Sequence, residues 1–397
     1  MTNLELLYRE TLARCAPESL VRQVVSPDMP RHLVAIGKCA GPLLDGFAAA
    51  IPIESAFVVV PRGYPEPRCA GENVVVRSGG HPDMDAGSFA AGEELLRYAA
   101  AHEEITFLIS GGGSACVEAP LRPFFSENDL AEVNRRLARA GLPIAAMNTV
   151  RKHLSAIKGG RLAARVRGRS VTLVYSDVGA GDLASVASGP TLPDDTSRAD
   201  AIAILRRIGG CDPLVTALGD ERVPETVREI GNTTWRLIAD NQTLLDAAAT
   251  VAGQAGWEVV RHPRQIETGV AAAARDLAGH ATSLRPREML IAGGEPTVEL
   301  RGSGRGGRCL ELAVHFAREM PAGGGALRAL FASSDGVDGN SGVAGVVMDL
   351  PPGAGLEAAT ADLASSDSLR GAGRLGRPII IPPTGNNLRD LYLVART

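Results

Sequence analysis

The chain has 397 residues, 45% of them hydrophobic and 22% charged, with a formal net charge of -4. That length asks for more than one core, and the balance is that of a soluble globular protein. The 41 basic residues are dispersed without a long run and aromatics reach only 4%, which speaks against a nucleic-acid surface, a base-stacking platform or an anionic-membrane patch.

At the N-terminus, Met1–Glu10 alternates charged and apolar residues. This spacing predicts an amphipathic helix rather than a signal peptide, which needs an unbroken apolar region. Short β-branched runs predict strands at His32–Ile36, Ala56–Val60, Val74–Val76, Ile105–Ile109 and Val171–Tyr175. Further strands are expected at Trp235–Ala239, Met289–Ala292, Leu330–Ala332 and Ile379–Ile381. Helical stretches fall between them at Gly87–Ala101, Ala131–Ala140, Thr243–Ala255 and Leu310–Met320, with a last one at Ala354–Ser365. Pro321–Gly325 reads as a loop. The alternation predicts α/β architecture: two domains, each a largely parallel sheet with flanking helices. The polar, Pro-containing stretch Asp212–Asn232 sets the expected division, 1–232 for a Rossmann-like N-terminal domain and 233–397 for the C-terminal one. Six scattered cysteines without a C-x-x-C pair suit a reduced, cytoplasmic protein. No apolar run of about 18 residues predicts a membrane span.

In open α/β sheets ligands gather beyond the carboxyl ends of strands, and several predicted strands here end in Gly, Ser, Asp or Lys. Lys38 follows the first strand and Gly37, where its ammonium can meet a carboxylate or phosphate; a solvated turn lysine would look the same. Ser110-Gly111-Gly112-Gly113-Ser114 follows the run Ile105–Ile109. Its glycines can turn successive N–H groups into one anion-binding concavity, although a tight strand-to-helix turn needs the same residues. Arg151–Gly160, with Lys158, concentrates basic residues before a glycine pair and suits either polyphosphate or a solvated helix face. Ser176-Asp177 lies beyond another strand. Gly302–Arg308, with Gly306 and Gly307, leads into a helix as an anion-binding candidate or a surface loop. Asp335 and Asp338 share a glycine-bounded turn that fits a Mg²⁺-phosphate site, a catalytic base or an Asx-turn. His81, beside a proline turn, reads more readily as structural. No P-loop occurs, and Gly302–Gly307, the nearest approach to a dinucleotide fingerprint, lacks the βαβ unit that such a fingerprint needs.

Taken in order, Gly37-Lys38, Gly80-His81-Pro82, Ser110–Ser114, Asn148–Gly160, Ser176-Asp177-Val178 with Ala187–Thr191, Gly293-Gly294-Glu295, Gly306-Gly307-Arg308, Asp335–Gly339 and Pro383–Asn387 form a set that covers most of the chain. The set resembles the glycerate 2-kinase family, type II glycerate kinases with a C-terminal MOFRL domain. The resemblance implies ATP- and Mg²⁺-dependent phosphorylation of the 2-hydroxyl of D-glycerate, in an active-site cleft between two α/β domains. It implies that Lys38, Arg308, Asp177, Asp335 and the Ser110–Ser114 loop line the site. On the chemistry of the residues, Lys158, Gly306 and Gly307 are expected on phosphate, and Asp177, Asp335 and Asp338 toward metal. Three positions depart from the family pattern: Gly181 replaces an Asp, Cys309 replaces an Asn while Glu311 is kept, and Asn340-Ser341 replaces Pro-Thr.

The expected partners are a small anionic hydroxy acid and ATP, with no nucleic acid and no membrane; a homodimer is compatible with this reading. The alternatives are a kinase for another hydroxy or aldonic acid, an NAD(P)-dependent hydroxypyruvate reductase, and a non-catalytic anion-binding protein.

Overall fold

The computed structural model describes residues 3–178, 182–321, 325–351 and 355–397. Gly181, residues 322–324 of the expected Pro321–Gly325 loop and Ala354 lie outside the described residues. The chain forms two units, one of Pro17–Ile238 and one that joins Met1–Ala16 to Ala239–Thr397.

The first unit is built on β1 (His32–Ile36), β2 (Ser55–Pro61), β3 (Val74–Gly79), β4 (Ile105–Ser110), β5 (Ser170–Tyr175) and β6 (Thr233–Ala239). Their order across the sheet is β3-β2-β1-β4-β5-β6. The pairs β1–β2, β1–β4, β2–β3 and β4–β5 are parallel. Every residue of β4 is buried, as expected for a central parallel strand covered on both faces. Val34, Ile36, Phe107 and Ile109 pack with Ala91 and Leu95 of the helix Ala86–Ala101 in one core cluster. That helix starts at a capping box, in which the Asp85 carboxylate accepts from Ser88 N–H and the Ser88 hydroxyl accepts from Asp85 N–H.

The second unit contains β7 (Glu258–Arg261), β8 (Glu288–Gly294), β9 (Leu327–Ser333), β10 (Gly345–Leu350), β11 (Gly376–Ile379) and β12 (Asp390–Arg396), in the order β11-β10-β9-β12-β8-β7. The α/β architecture of two sheets with flanking helices is as expected. The second sheet has a finer feature: β10 and β12 run against the other four strands, so β7–β8 is its parallel neighbour pair and the remaining neighbours pair antiparallel. Leu290, Ala292, Phe331, Tyr392 and Val394 form its core with Leu312 and Phe316 of the helix Arg308–Glu319.

The division differs from 232/233 in two respects. Thr233–Ala239 is the sixth strand of the first sheet rather than the opening strand of the second. Hydrogen bonding along β5 begins this docking, with Ser170 N–H donating to Asn232 O at 2.9 Å. The helix Leu4–Arg14 buries Leu4, Leu7, Tyr8, Thr11 and Leu12, and it belongs with the C-terminal unit. The stretch after Asp212 also contains a helix, Asp212–Leu218. Among the described residues no helix is long and apolar enough to cross a membrane.

Candidate active site

In the first unit the strand order reverses direction between β1 and β4, the topological switch point at which open α/β sheets bind ligands. Two loops leave the sheet there. Gly37 has φ +110°, and a Cβ on it would meet Ser110 O at 2.4 Å, so only glycine lets the strand ends approach this closely. Lys38 N–H donates to Gly111 O at 2.8 Å. Cys39 N–H donates to Ser110 Oγ at 3.0 Å, and that hydroxyl donates to Ile36 O at 3.2 Å. Ser110 is wholly buried. It is therefore a strut between the strand ends, and the expectation that it meets phosphate does not fit its hydrogen bonds.

Gly111–Ser114 keeps the character of a ligand loop. Gly112 has φ +83°, and a Cβ there would come within 2.9 Å of Lys38 Cγ, so the lysine stem lies across the glycine turn. Lys38 Nζ stands 5.3 Å from the centroid of the Tyr64 ring, a cation–π arrangement that steadies the ammonium. The Tyr64 and His81 rings meet edge to face at 6.4 Å. Gly113 leaves no room beside Ala187, whose Cβ would be 2.7 Å from an added one. Ser114 and Ser188 hydroxyls are 2.7 Å apart, and Ser188 donates onward to Asn148 Oδ1 at 2.9 Å. Ser188 thus accepts from Ser114. Asp177 lies two residues beyond β5, whose last residue, Tyr175, is in register with Ser110. Lys38, the Gly111–Ser114 turn and Asp177 are thus carried by three adjacent strand ends.

Lys158 is turned inward behind that turn. It is 1% exposed and paired with Glu118, which also accepts from Ser155 Oγ. Burial, opposed by Glu118, lowers its pKa from the usual lysine range. Lys152 is likewise buried against Asp194 at 3.0 Å, and Arg151 Nε donates to Asn134 Oδ1 at 2.7 Å. The basic stretch is therefore a set of internal pairs rather than a polyphosphate patch. Buried lysines need a carboxylate partner, and the partners Glu118 and Asp194 are distant in sequence.

In the second unit the centre is the N-terminus of the helix Arg308–Glu319. Asp338 accepts from Cys309 N–H at 3.1 Å and from Leu310 N–H at 2.9 Å, one bond to each oxygen. A Cβ on Gly307 would fall 2.3 Å from the Asp338 carboxyl, so the glycine makes room for this cap. Burial, and after it Asp390, pushes the Asp338 pKa up to about 7, against the two helix amides. Asp338 is a helix cap, and the expectation of a metal ligand does not fit it. Gly306 and Gly307 are corrected in the same way. Their N–H groups donate to Asn340 Oδ1 at 2.7 Å and Ser368 Oγ at 3.1 Å, which closes the loop instead of opening it to phosphate.

Arg308 is held on both sides. Its Nε and one terminal nitrogen donate to the two oxygens of Asp390 at 2.7 and 2.9 Å, and the other terminal nitrogen is 3.0 Å from Glu295. Burial works against its charge, but Asp390 and Glu295 together hold its pKa well above the usual arginine value. Asp390 is 0% exposed and also accepts from Tyr392 Oη at 2.9 Å. Asp335 follows β9, and its Oδ1 accepts from Ser333 Oγ at 2.9 Å and Val337 N–H at 3.0 Å. Tyr8, delivered by the first helix, donates to Ser333 O at 2.6 Å. Burial, then Cys309, Asp335 and Asp390, raises its pKa well above that of free tyrosine.

Asp390, Tyr392 and Tyr8 are members of this cluster that the sequence reading missed. Asp390 lies three residues past Pro383–Asn387, a signal of position. Its pairing with Arg308, 82 residues away, exists only in the fold.

Comparisons with known proteins give a consistent result. A family model described as a domain of unknown function (DUF4147) matches residues 3–218, and one of the MOFRL family matches 288–390. Glycerate 2-kinase of Sulfurisphaera tokodaii is 31% identical over 386 residues, covering 92% of this chain and 90% of that protein. An Agrobacterium vitis protein, named provisionally as a hydroxypyruvate reductase, is 34% identical over 398 residues and covers 93% and 88%. The crystal structure of glycerate kinase from Thermotoga maritima superposes with a TM-score of 0.85 at 28% identity, covering 98% of each chain.

Proposed function

Because this chain belongs to the glycerate 2-kinase family, we propose that it transfers the γ-phosphoryl group of ATP to the 2-hydroxyl of D-glycerate. The observation that best supports this is the conjunction of Lys38 with the Gly111–Ser114 turn at the point where the first sheet's strand order reverses. A cation beside a concave run of backbone amides suits a phosphate or a carboxylate.

In the transfer, the glycerate 2-oxygen forms a bond to the γ-phosphorus, the bond to the β-γ bridging oxygen breaks, and ADP leaves. The hydroxyl proton passes to a carboxylate. Asp177 and Asp335 are the two strand-end carboxylates suited to that role or to a magnesium ion; Asp338, with both oxygens on helix amides, fits neither. When bound, magnesium supplies charge neutralisation on the nucleotide phosphates. Lys38 and Arg308 would neutralise the substrate carboxylate or the transferring group. Positioning and fixed charge supply most of the acceleration in such reactions.

Hydride transfer to hydroxypyruvate is the second reading, prompted by the Agrobacterium relative. Two G-x-G-x-x-G stretches occur and neither supports it: Gly371–Gly376 lies in the helix Ser368–Leu375 and its C-cap, and Gly302–Gly307 also argues against it. Residues 298–300 before it are not a strand, and its last two amides are used within the loop.

The test is a turnover assay with ATP, Mg²⁺ and D-glycerate that follows ADP release, with ³¹P NMR to locate the phosphate. A parallel sample with hydroxypyruvate follows NADH absorbance. Glycerate-dependent ADP release and a phosphomonoester on carbon 2 are expected. Phosphate on carbon 3, ADP release only with a different acid, or NADH oxidation without ADP would overturn the assignment.

A further inference from the structure

A second cluster of ligating side chains, none of them used above, lies in the C-terminal unit. It is formed by His262, immediately after β7, and by Asp276 and His280 on the helix Val270–Thr282. Asp276 and His280 are four residues apart and share one helix face. One ligating atom from each of the three lies within 4.8 Å of the others. The His262 and His280 rings are 4.6 Å apart, centroid to centroid.

His262 carries the argument. Its side chain is 1% exposed. Its Nδ1 lies 2.7 Å from the Arg264 carbonyl, which can only accept, so Nδ1 carries a proton and, in the neutral ring, Nε2 presents its lone pair. That nitrogen is buried and makes no hydrogen bond. It faces Asp276 Oδ2 at 3.3 Å without hydrogen-bond geometry. A buried lone pair turned toward a carboxylate is an unfavourable arrangement. A cation between the two relieves it. A histidine whose Nδ1–H donates to a backbone carbonyl while Nε2 looks into a shared space is also the arrangement that orients metal-ligating imidazoles. For a tetrahedral ion bound at about 2.0–2.1 Å, ligand atoms sit about 3.4 Å apart, close to the His262–Asp276 separation. Asp276 is 32% and His280 37% exposed, so the ion has an entry path, and His280 Nδ1 lies 2.9 Å from the Asp276 carbonyl, which leaves its Nε2 to serve as ligand. Arg264, 75% exposed and 3.6 Å from Asp276, balances the carboxylate and can swing into solvent.

We infer that His262, Asp276 and His280 form a site for a first-row divalent metal, zinc by ligand type, with a water completing the shell. Bound there, the ion clamps the end of β7 to the helix Val270–Thr282, a link made by side chains alone. The site is independent of the phosphoryl-transfer reading.

The test uses the full chain, stripped with a chelator and titrated with Zn²⁺ alone by calorimetry, with Co²⁺ as a spectroscopic substitute. The wild type should bind one Zn²⁺, melt at a higher temperature with it, and give the visible absorption of tetrahedral Co²⁺. His280→Ala and Asp276→Asn, both at partly exposed positions and checked for fold by circular dichroism, should each weaken Zn²⁺ at least about tenfold and abolish the rise in Tm. No binding by the folded wild type, or undiminished binding by either folded variant, would overturn the site. Should one variant fail to fold, the other decides.

Discussion

At the scale of single residues, the same side chain types have opposite fates that depend on what they face. Lys38 and Lys158 both neighbour glycines in the sequence. One stretches across the Gly112 turn toward Tyr64, and the other is buried against Glu118. Arg308 is the residue most constrained by geometry, since two parallel bonds hold it to the buried carboxylate of Asp390. A lysine supplies one point charge and cannot span both oxygens. Arg308→Lys is therefore expected to destabilise the chain by about 1–3 kcal/mol, by under-satisfying a buried acid. It should also lower kcat/KM more than about tenfold, or ~1.4 kcal/mol. Thermal melts and steady-state kinetics on one preparation separate the two effects. A lower Tm with unchanged kcat/KM would leave Arg308 as a structural partner of Asp390 only.

At the scale of elements, the glycine-rich loops divide into two kinds. In Gly111–Gly113 the glycines bring a loop close to Lys38 and Ala187. In Gly306-Gly307 they make space for Ser368 and Asp338 to cap a helix. The second role makes a stability prediction. Gly307→Ala places a methyl group 2.3 Å from the Asp338 carboxyl; the cap must move, and a loss of about 1–3 kcal/mol is expected, as for other overpacked sites. Urea denaturation measures it. Gly253→Ala, in a helix with open space around the added methyl, is the control and should be neutral or stabilising by up to about 1 kcal/mol. Equal behaviour of the two variants would remove the close packing at Gly307 as its reason for being glycine.

At the scale of the whole molecule, the chain's first helix belongs with residues more than two hundred positions later. Leu4, Leu7, Tyr8 and Leu12 are buried, and Tyr8 is bonded to Ser333. Removing residues 3–14 should lower Tm and strip hydrogen-exchange protection from the helix Asn241–Gln254 and from β9, which the first helix contacts. Each buried leucine contributes roughly 1.5–3 kcal/mol, so the loss should be several kcal/mol. Protection in Pro17–Ile238 should persist. Loss of protection there instead, with Asn241–Gln254 unchanged, would assign the helix to the wrong unit.

Much of this protein is determined by its sequence alone. Fully buried runs such as Ile105–Ser110 and Glu288–Gly294 announce central strands because both their faces need apolar cover. The ordered motifs from Gly37-Lys38 to Pro383–Asn387 point to the family, since local turn chemistry is written in adjacent residues. β10 and β12 escape that reading: strand direction is not encoded in a short apolar run, and the second sheet gains two antiparallel strands that periodicity cannot orient. The boundary at 232/233 fails for a related reason, as β6 finds its neighbour by hydrogen bonding to β5. The tertiary structure alone decided which polar residues face inward. Lys158, Asp338 and Ser110 have the composition of ligands, yet their partners Glu118, the amides of Cys309 and Leu310, and Ile36 lie 40, 29, 28 and 74 positions away. Burial requires that each polar group be satisfied, and the partners that satisfy it are chosen by the fold rather than by sequence neighbourhood.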